Sequence, residues 1–501
     1  MTTNEFTNRL KTCTSTEPVI DTLDENGQLL PRATNEVRTL DANGQLLPRA
    51  GRSWFYPNEL ATIYKFPSPS FTTNKNIAVI SFGGGLYGTV SPTGVLTNGD
   101  CQQYWQSLGI SQANMPTVIV IPINGASNRP NVNDRGATAE NTLDVQQIGA
   151  CCPTSKLTII LYIAPNNLTQ FVNVMDYILN ASPYPSSMIS ISWGAPEIYY
   201  SSTLLTNINN RFATAVARGI NICAATGDNG SNNGVGGSGS YTDFPASSPN
   251  VIACGGTKLV CPNLVYDSST TEVAWTYGGG AISAYFAKPT YQNSLSVVKR
   301  SIPDIAMNAD PNTGVAYLVN GSYYIYGGTS VAAPTVAAYL MALNTTRPAH
   351  NVFYTNVNAF NDVVSGTNGA FNASLGYDNC TGLGSINGTV LTTAFNNQPS
   401  QPSQPPQPPQ PPQQQVVAVS SVRLSLSSLR IKFNRTYQLN PTILPSNATN
   451  KSLTWTSNNT RIITVSSTGL IRTINYGTAT VRVRSVSNPN RSATISITVI
   501  R

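Results

Sequence analysis

Residues 326–334, YGGTSVAAP, have the residue types of a corner that presents a serine nucleophile at the start of a helix. The glycines let the backbone turn tightly, and Ser330 opens an apolar, helix-like run. Free backbone amides and the positive end of the helix dipole can stabilise an oxyanion at such a position. The alternative is a serine that only caps the helix. A serine nucleophile also needs a base, and His350 is the one histidine of the chain.

Carboxylates offer another base. Glu140 and Asp144 lie four residues apart in ATAENTLDVQQIG. On a helix this spacing puts both side chains on one face, with Cβ atoms ~5–6 Å apart, and carboxyls this close relieve their repulsion by sharing a proton. A solvent-exposed acidic face is the alternative. Asp228, in AATGDNGSNNG, follows an expected strand, at the edge where α/β sheets carry their sites. An Asx-turn in a glycine-rich loop is the alternative there.

The elements that must position these side chains follow from periodicity. Between about residues 51 and 395, continuous apolar runs alternate with helical patterns. This predicts a parallel sheet covered on both faces, in a doubly wound α/β domain. The predicted strands are 77–82, 117–123, 157–163, 188–193 and 220–225, and two predicted helices are 138–148 and 204–217.

Composition divides the rest of the chain. Residues 397–415, NQPSQPSQPPQPPQPPQQQ, cannot form a core and predict a polyproline II linker. Residues 416–501 alternate apolar and polar side chains in short runs, which predicts a small β-sandwich. The predicted domains are a tail at 1–50 with duplicated LDENGQLLPRA and LDANGQLLPRA, a catalytic domain at 51–395, a linker at 396–415 and the sandwich at 416–501.

Charge separates the two folded parts. Residues 416–501 hold eleven of the 29 Lys+Arg and no acidic side chain, whereas the remainder has 22 acidic residues. The basic segment is therefore expected to meet an anionic glycan, membrane face or nucleic acid, unless it is a solubilising spacer. Charged residues are only 10% of the whole chain, which is typical of exported or surface proteins.

Targeting and cysteine signals exclude several classes. The first residues, MTTNEFTNRLKTC, lack a basic segment followed by an apolar run, so no standard signal peptide is predicted. No window approaches ~18 apolar residues, so no membrane span is predicted. The eight cysteines form no CxxC pair, which argues against a zinc site. Cys254 and Cys261 are either bridged or buried free thiols.

Taken together, residues 54–395 resemble the sedolisin family, the serine-carboxyl peptidases, whose Ser-Glu-Asp triad on a subtilisin-like fold requires no histidine. The matching motifs follow the family's order. They are WFYPNELATIYKFP (54–67), IAVISFGGG (77–85), ISISWG (189–194), FPASSPNVIACGGT (244–257), GGGAIS (278–283), PDIAMNADPNTG (303–314) and GYDNCTGLGS (376–385). The implied fold is α/β, a subtilisin-like doubly wound parallel sheet followed by a small all-β Ig-like sandwich.

The resemblance implies a role for each candidate. Ser330 is the nucleophile and Glu140 the general base, Asp144 orients Glu140 and shares its proton, and Asp228 takes the oxyanion position. Asp228 donates only while protonated and Glu140 accepts only while ionised, so we expect an optimum of about pH 3–5. His350 matches no motif and is expected on a loop or the surface. The residues implied to contact substrate are Ser192, Trp193, Gly194 and Gly279.

One structural calcium ion is also implied. NDVVSG (361–366) and SLGYD (374–378) look like the calcium loop of the family, and Ca²⁺ prefers hard oxygen ligands. A turn with an isolated aspartate is the alternative. The implied ligands are the carboxylates of Asp362 and Asp378 and the backbone carbonyls of Val363, Ser374 and Gly376.

Residues 416–501 resemble the bacterial Ig-like group 2 family, through LNPTILPSNATNKSLTWTSNNTRIITVSSTGLI and YGTATVRV. The whole chain is therefore expected to be an acid endopeptidase that cleaves protein or peptide substrates as a monomer, outside the cell or in an acidic compartment. The alternative is a catalytically silent pseudo-peptidase that serves as a surface or structural adhesin. All four catalytic positions are filled, which favours the enzyme.

Overall fold

A computed structural model describes residues 52–131, 134, 136–181, 185–397, 419–448, 451–486, 488 and 491–501. The described residues form two compact units, which lie within Met1–Pro399 and Ser400–Arg501. The predicted tail at 1–50 lies outside the described residues, as does the predicted linker at 396–415 except for its first two residues.

Eight helices are described in the first unit. They are α1 Pro57–Ile63, α2 Asp100–Ser107, α3 Ala137–Cys151, α4 Gln170–Leu179, α5 Ser202–Ala217, α6 Thr329–Ala342, α7 Ala349–Thr355 and α8 Gly388–Asn397. The strands of its central sheet are β1 Lys75–Phe82, β2 Thr117–Pro122, β3 Leu157–Ala164, β4 Met188–Ile191, β5 Asn221–Ala225, β6 Ile252–Val260, β7 Thr271–Ala274 and β8 Ile305–Asn308. Further paired strands are Thr89–Val90 with Leu96–Thr97, Ala195–Pro196 with Asp243–Phe244, Ala281–Ala287 with Lys299–Ile302, Val315–Val319 with Ser322–Tyr326, and Phe360–Asn361 with Ser385–Ile386.

The central sheet is mostly parallel. Its strand order is β7-β6-β5-β4-β1-β3-β2, with β8 also pairing β6, and only the β6–β7 pair is antiparallel among these described strands. The five predicted strands and the two predicted helices are all present, with ends that agree to within three residues. The predicted doubly wound α/β fold is confirmed.

Two hydrophobic cores cover the two faces of the sheet. Because side chains alternate along a strand, Ile77 and Val79 of β1 pack into one core, and Ala78 and Ile80 pack into the other. Helices α3 and α6 lie on the first face in contact with each other, and α4 and α5 pair on the second. Burial on both faces explains why the strands read as continuous apolar runs.

The position of His350 contradicts the prediction that it lies on a loop or the surface. The residue lies in α7 and is 7% exposed. Its Nε2 is 3.1 Å from the carbonyl oxygen of Val251 and 3.3 Å from Oδ2 of Asp304, and its ring stacks on Tyr291 with centroids 4.3 Å apart. These partners come from distant segments, so no local pattern around His350 signals its burial.

The cysteines and helices settle two further points. The seven described cysteines are all buried free thiols, so Cys254 and Cys261 are not bridged. Across the part of the chain that the structure covers, no helix combines the length and the apolar character needed to cross a membrane.

The second unit is all-β. Its described strands are β9 Ser421–Leu424, β10 Ser428–Lys432, β11 Thr436–Gln438, β12 Pro441–Leu444, β13 Leu453–Ser457, β14 Ile463–Val465, β15 Leu470–Thr473, β16 Gly477–Ser485 and β17 Ser492–Ile500. They form sheets in the orders β10-β17-β16-β13, β11-β15-β14 and β9-β12. Alternate residues such as Val481, Ile495 and Ile497 are buried in one core, as the period-2 pattern predicts.

Candidate active site

Ser330 lies in the first turn of α6, directly after a sharp corner. Gly328 has φ +103°, which favours glycine, and its N–H donates to the carbonyl of Ala309 at 2.6 Å. A Cβ on Gly327 would lie 2.4 Å from that same carbonyl oxygen, so only glycine fits there. Ser330 is buried, and its Oγ forms no hydrogen bond with the described residues. The corner therefore holds the serine hydroxyl without committing it to a structural partner.

Pro334 affects the carbonyl of Ser330. In a helix, the residue four positions later normally donates its N–H to such a carbonyl. Here that residue is Pro334, which has no N–H. The Ser330 carbonyl instead lies 3.5 Å from Oγ of Ser192, which follows β4. The same Ser192 hydroxyl donates to Oδ1 of Asp144 at 2.6 Å. Ser192 thus connects the acidic helix α3 to the start of α6.

Glu140 and Asp144 are both 0% exposed, so the alternative of a solvent-exposed acidic face is wrong. Glu140 lies in the first turn of α3, and Asp144 lies one turn later on the same face. Burial raises the pKa of Asp144 well above its usual value and the neighbouring Glu140 raises it further, against a lowering by the Ser192 hydrogen bond. Two buried carboxyls one helical turn apart favour a state in which the pair shares a proton.

Asp228 lies just after β5 and faces the start of α6. Its Oδ1 accepts hydrogen bonds from the backbone N–H and the hydroxyl of Thr329, both at 2.8 Å. The Thr329 hydroxyl also accepts from the N–H of Gly227 at 3.1 Å. Because these partners are about a hundred residues away in sequence, Asp228 does more than close a local Asx-turn. The structure thus links Asp144, through Ser192, and Asp228, through Thr329, to the start of α6 where Ser330 lies, and Glu140 lies one turn before Asp144 on α3.

The four residues implied to contact substrate lie beside this site. Ser192, Trp193 and Gly194 directly follow β4, and the N–H of Gly279 donates to the carbonyl of Gly227 at 2.8 Å. A Cβ on Gly279 would lie 2.0 Å from the Thr226 carbonyl oxygen, so glycine is required. Trp193 is buried, with its ring centroid 5.8 Å from that of Phe82. Their contact with substrate stays a prediction.

Sequence reasoning missed two residues of this region. Thr329 joins Asp228 to α6, and its only signal was its place beside Ser330. Asn141 follows Glu140; its side chain accepts from the Ser81 hydroxyl and donates to the carbonyl of Gly83 at 3.0 Å, which fixes the start of α3 against the end of β1. No motif reasoning selected Asn141, because an asparagine inside a helix carries no chemistry of its own.

The two implied calcium carboxylates contact the 374–378 loop through its backbone N–H groups. Oδ2 of Asp362 accepts from the N–H of Gly376 at 2.8 Å, and Oδ2 of Asp378 accepts from the N–H of Ser374 at 2.9 Å. Both carboxylates therefore face the 374–378 loop, and burial raises the pKa of Asp378. No described group of three His, Cys, Asp or Glu side chains could hold a metal; a calcium set of two carboxylates and backbone carbonyls is of another kind, and it stays a prediction.

The mostly parallel sheet and the serine at the start of a buried helix are the features of a subtilisin-like fold. The sequence profile of the Subtilase family matches residues 126–384, more than half of the chain. The chain therefore belongs to the subtilase family. Residues 418–495 match the profile of the bacterial Ig-like domain (group 2).

Individual relatives point to one branch. The chain is 33% identical over 368 residues to kumamolisin from Bacillus sp. (strain MN-32), covering 68% of this chain and 63% of that protein. It is 29% identical over 364 residues to sedolisin from Pseudomonas sp. (strain 101), covering 66% and 59%. The chain thus spans about 60% of the length of these curated relatives.

One solved structure supports the similarity to sedolisin. Pseudomonas sedolisin, a serine-carboxyl proteinase complexed with two molecules of pseudo-iodotyrostatin, superimposes with a TM-score of 0.58 at 28% identity. The match covers 68% of this chain and 98% of that one. The resemblance to the sedolisin and Ig-like families is confirmed.

Proposed function

We propose that this chain is a serine-carboxyl endopeptidase that hydrolyses peptide bonds of protein or peptide substrates in acid. The observation that supports the proposal is that a buried carboxyl pair, through Ser192, and Asp228, through Thr329, are linked to the start of α6, where the Ser330 hydroxyl has no hydrogen-bond partner among the described residues. The similarity to kumamolisin and sedolisin supports the same reaction class.

The proposed reaction begins with attack of Ser330 Oγ on the carbonyl carbon of the scissile bond. Glu140 takes the hydroxyl proton, and the raised pKa of Asp144 keeps a proton available for a hydrogen bond that holds Glu140 in place. The tetrahedral oxyanion accepts from a protonated Asp228 and from a backbone N–H at the start of α6. Glu140 then protonates the leaving amine, and water hydrolyses the acyl-enzyme by the reverse proton path.

The pH dependence follows from these protonation states. As the pH falls, Glu140 is protonated and can no longer accept from Ser330. As the pH rises, the proton shared with Asp144 and the one on Asp228 are lost, and the donors to Glu140 and to the oxyanion disappear. We expect a bell-shaped profile of kcat/KM with its maximum at about pH 3–5.

The experiment is cleavage of a denatured protein between about pH 3 and pH 7, with fragments counted by mass spectrometry. Internal cleavage that peaks in acid supports the proposal. A maximum at neutral pH contradicts the carboxyl mechanism, and absence of cleavage throughout this range contradicts the enzyme.

We further propose that Asp362, Asp378 and the carbonyls of Val363, Ser374 and Gly376 hold one structural calcium ion, which would cross-link the two loops when bound. Excess calcium is expected to raise the melting temperature by roughly 4 °C at ~100-fold excess over Kd. Asp378→Asn should abolish this shift, and the control Asp267→Asn, which neutralises an exposed aspartate, should keep it. A calcium shift that survives in Asp378→Asn contradicts the site.

We also propose that the protein acts as a monomer. We propose that it works outside the cell or in an acidic compartment, where its expected pH range applies.

A further inference from the structure

One face of the second unit has an unusual composition. In the sheet β10-β17-β16-β13, four consecutive cross-strand rows present twelve residues outward, and these are six threonines, three serines and three arginines. Arg482 lies between Thr456 and Thr494 in one row, and Arg484 occupies the next row. None of the twelve is buried. We call these four rows the outer face.

The opposite side of the same strands explains why the outer face keeps one register. Val481, Val483 and Ile495 alternate with the outward residues and are 0% exposed. A one-residue slip would move these apolar side chains into water, so the register is strongly specified. The outward side chains therefore form a regular array, with ~4.8 Å between strands and ~7 Å between rows.

The arginines of the outer face have no acidic partner in their own unit. Residues 416–501 contain no aspartate or glutamate. Arg482 donates to the Ser492 hydroxyl at 2.9 Å, a neutral partner that leaves its charge uncompensated. A guanidinium pairs best with an oxyanion that accepts two hydrogen bonds, such as a carboxylate, a phosphate or the similarly shaped sulfate. Charge complementarity therefore favours an anionic partner from outside the unit.

The chemistry of the remaining positions selects among anionic partners. The four rows contain no aromatic side chain on which the bases of a single-stranded nucleic acid could stack. They also contain no large apolar side chain that could enter a lipid bilayer. Serine and threonine hydroxyls both donate and accept hydrogen bonds, as the hydroxyls of a sugar do. A regular array of hydroxyls with interspersed guanidiniums matches a chain of sugars that carry acidic groups.

We propose that the outer face binds an anionic polysaccharide, with Arg430, Arg482 and Arg484 contacting its acidic groups and the neighbouring hydroxyls contacting the sugars. This goes beyond the proposed peptidase function and does not depend on it. Binding is measured without any cleavage, so failure of one leaves the other standing.

The test uses the full chain at neutral pH and immobilised dextran sulfate as the probe, with uncharged dextran as the reference polymer. The triple variant Arg430→Gln, Arg482→Gln, Arg484→Gln is expected to bind dextran sulfate about tenfold or more weakly. The matched control Arg423→Gln, Arg461→Gln, Arg472→Gln removes the same charge from exposed positions outside the outer face, and should stay within about threefold of the native chain. Equal losses in the two variants would show a net-charge effect and overturn the proposal.

A second variant tests the hydroxyls. Thr456→Val with Thr494→Val keeps the branched shape and the charge, and should weaken dextran sulfate binding by about threefold. Unchanged melting temperatures verify the fold of all variants, since the substituted side chains are exposed. Tighter binding at equal ionic strength to duplex DNA or to phosphatidylserine vesicles than to dextran sulfate would assign the face to another partner and overturn the proposal.

Discussion

Replacing Ser330 by alanine is expected to lower kcat by about 10⁴- to 10⁶-fold, because the acyl-enzyme can no longer form. The residual rate would come from oxyanion stabilisation and substrate positioning alone. The fold should be unaffected, since Ser330 Oγ forms no hydrogen bond with the described residues. The measurement is kcat/KM for an internally quenched peptide at the optimum pH, with the melting temperature of each variant beside it.

A second buried serine serves as the control. Ser247 is also 0% exposed, and its Oγ likewise has no partner among the described residues. Ser247→Ala should keep the native rate, because this serine follows the strand Asp243–Phe244 and has no proposed role in the reaction. Undiminished cleavage by Ser330→Ala would disprove the nucleophile. A native chain that is folded but inactive would favour the adhesin alternative.

Asp304→Asn is expected to lower the free energy of unfolding by about 3–5 kcal/mol. Arg300 and Asp304 are both fully buried, and two guanidinium nitrogens donate to the carboxylate at 2.6 Å each. The carboxylate also accepts from the Tyr354 hydroxyl at 2.7 Å and the Ala253 N–H at 2.8 Å. Asparagine would leave the Arg300 charge buried without compensation. Urea unfolding at neutral pH measures the loss.

The dependence of its stabilising effect on acid pH distinguishes this ion pair from apolar packing. Burial alone would raise the pKa of Asp304, but the Arg300 guanidinium and His350 bring it well below its usual range. A carboxyl with a lowered pKa stabilises the fold fully above its unfolded pKa of ~3.9 and loses that contribution progressively as the pH falls from there through the folded pKa. The ion pair should therefore persist over the expected working range, and the cost of Asp304→Asn should shrink below about pH 4.

The control is an exposed pair with the same geometry. Arg211 donates to both carboxylate oxygens of Asp176, at 2.7 and 2.8 Å, but the two side chains are 27% and 49% exposed. Asp176→Asn should therefore cost no more than about 1 kcal/mol. If Asp304→Asn costs no more than this control, the buried pair does not have the role assigned to it.

Much of the fold could be predicted because the burial of a strand or helix produces a local pattern of apolar residues in the sequence. Strands buried on both faces require uninterrupted apolar runs, so β1, β3 and β5 were visible without the structure. The period-2 alternation in residues 416–501 likewise predicted the β-rich second unit. The candidates Ser330, Glu140 and Asp144 could be selected because a glycine corner and an i,i+4 carboxyl pair are also local patterns.

The tertiary structure decided which polar groups meet. Ser192 lies 48 residues from Asp144 and 138 from Ser330, yet its hydroxyl lies between the Asp144 carboxylate and the Ser330 carbonyl. Asp228 reaches Thr329 across 101 residues, and His350 is buried against Asp304 and Tyr291. A sequence pattern records whether a side chain is buried, whereas the partner of a buried polar group depends on how distant elements pack. The sequence by itself therefore determined the elements and most of the candidates, and only packing decided their contacts.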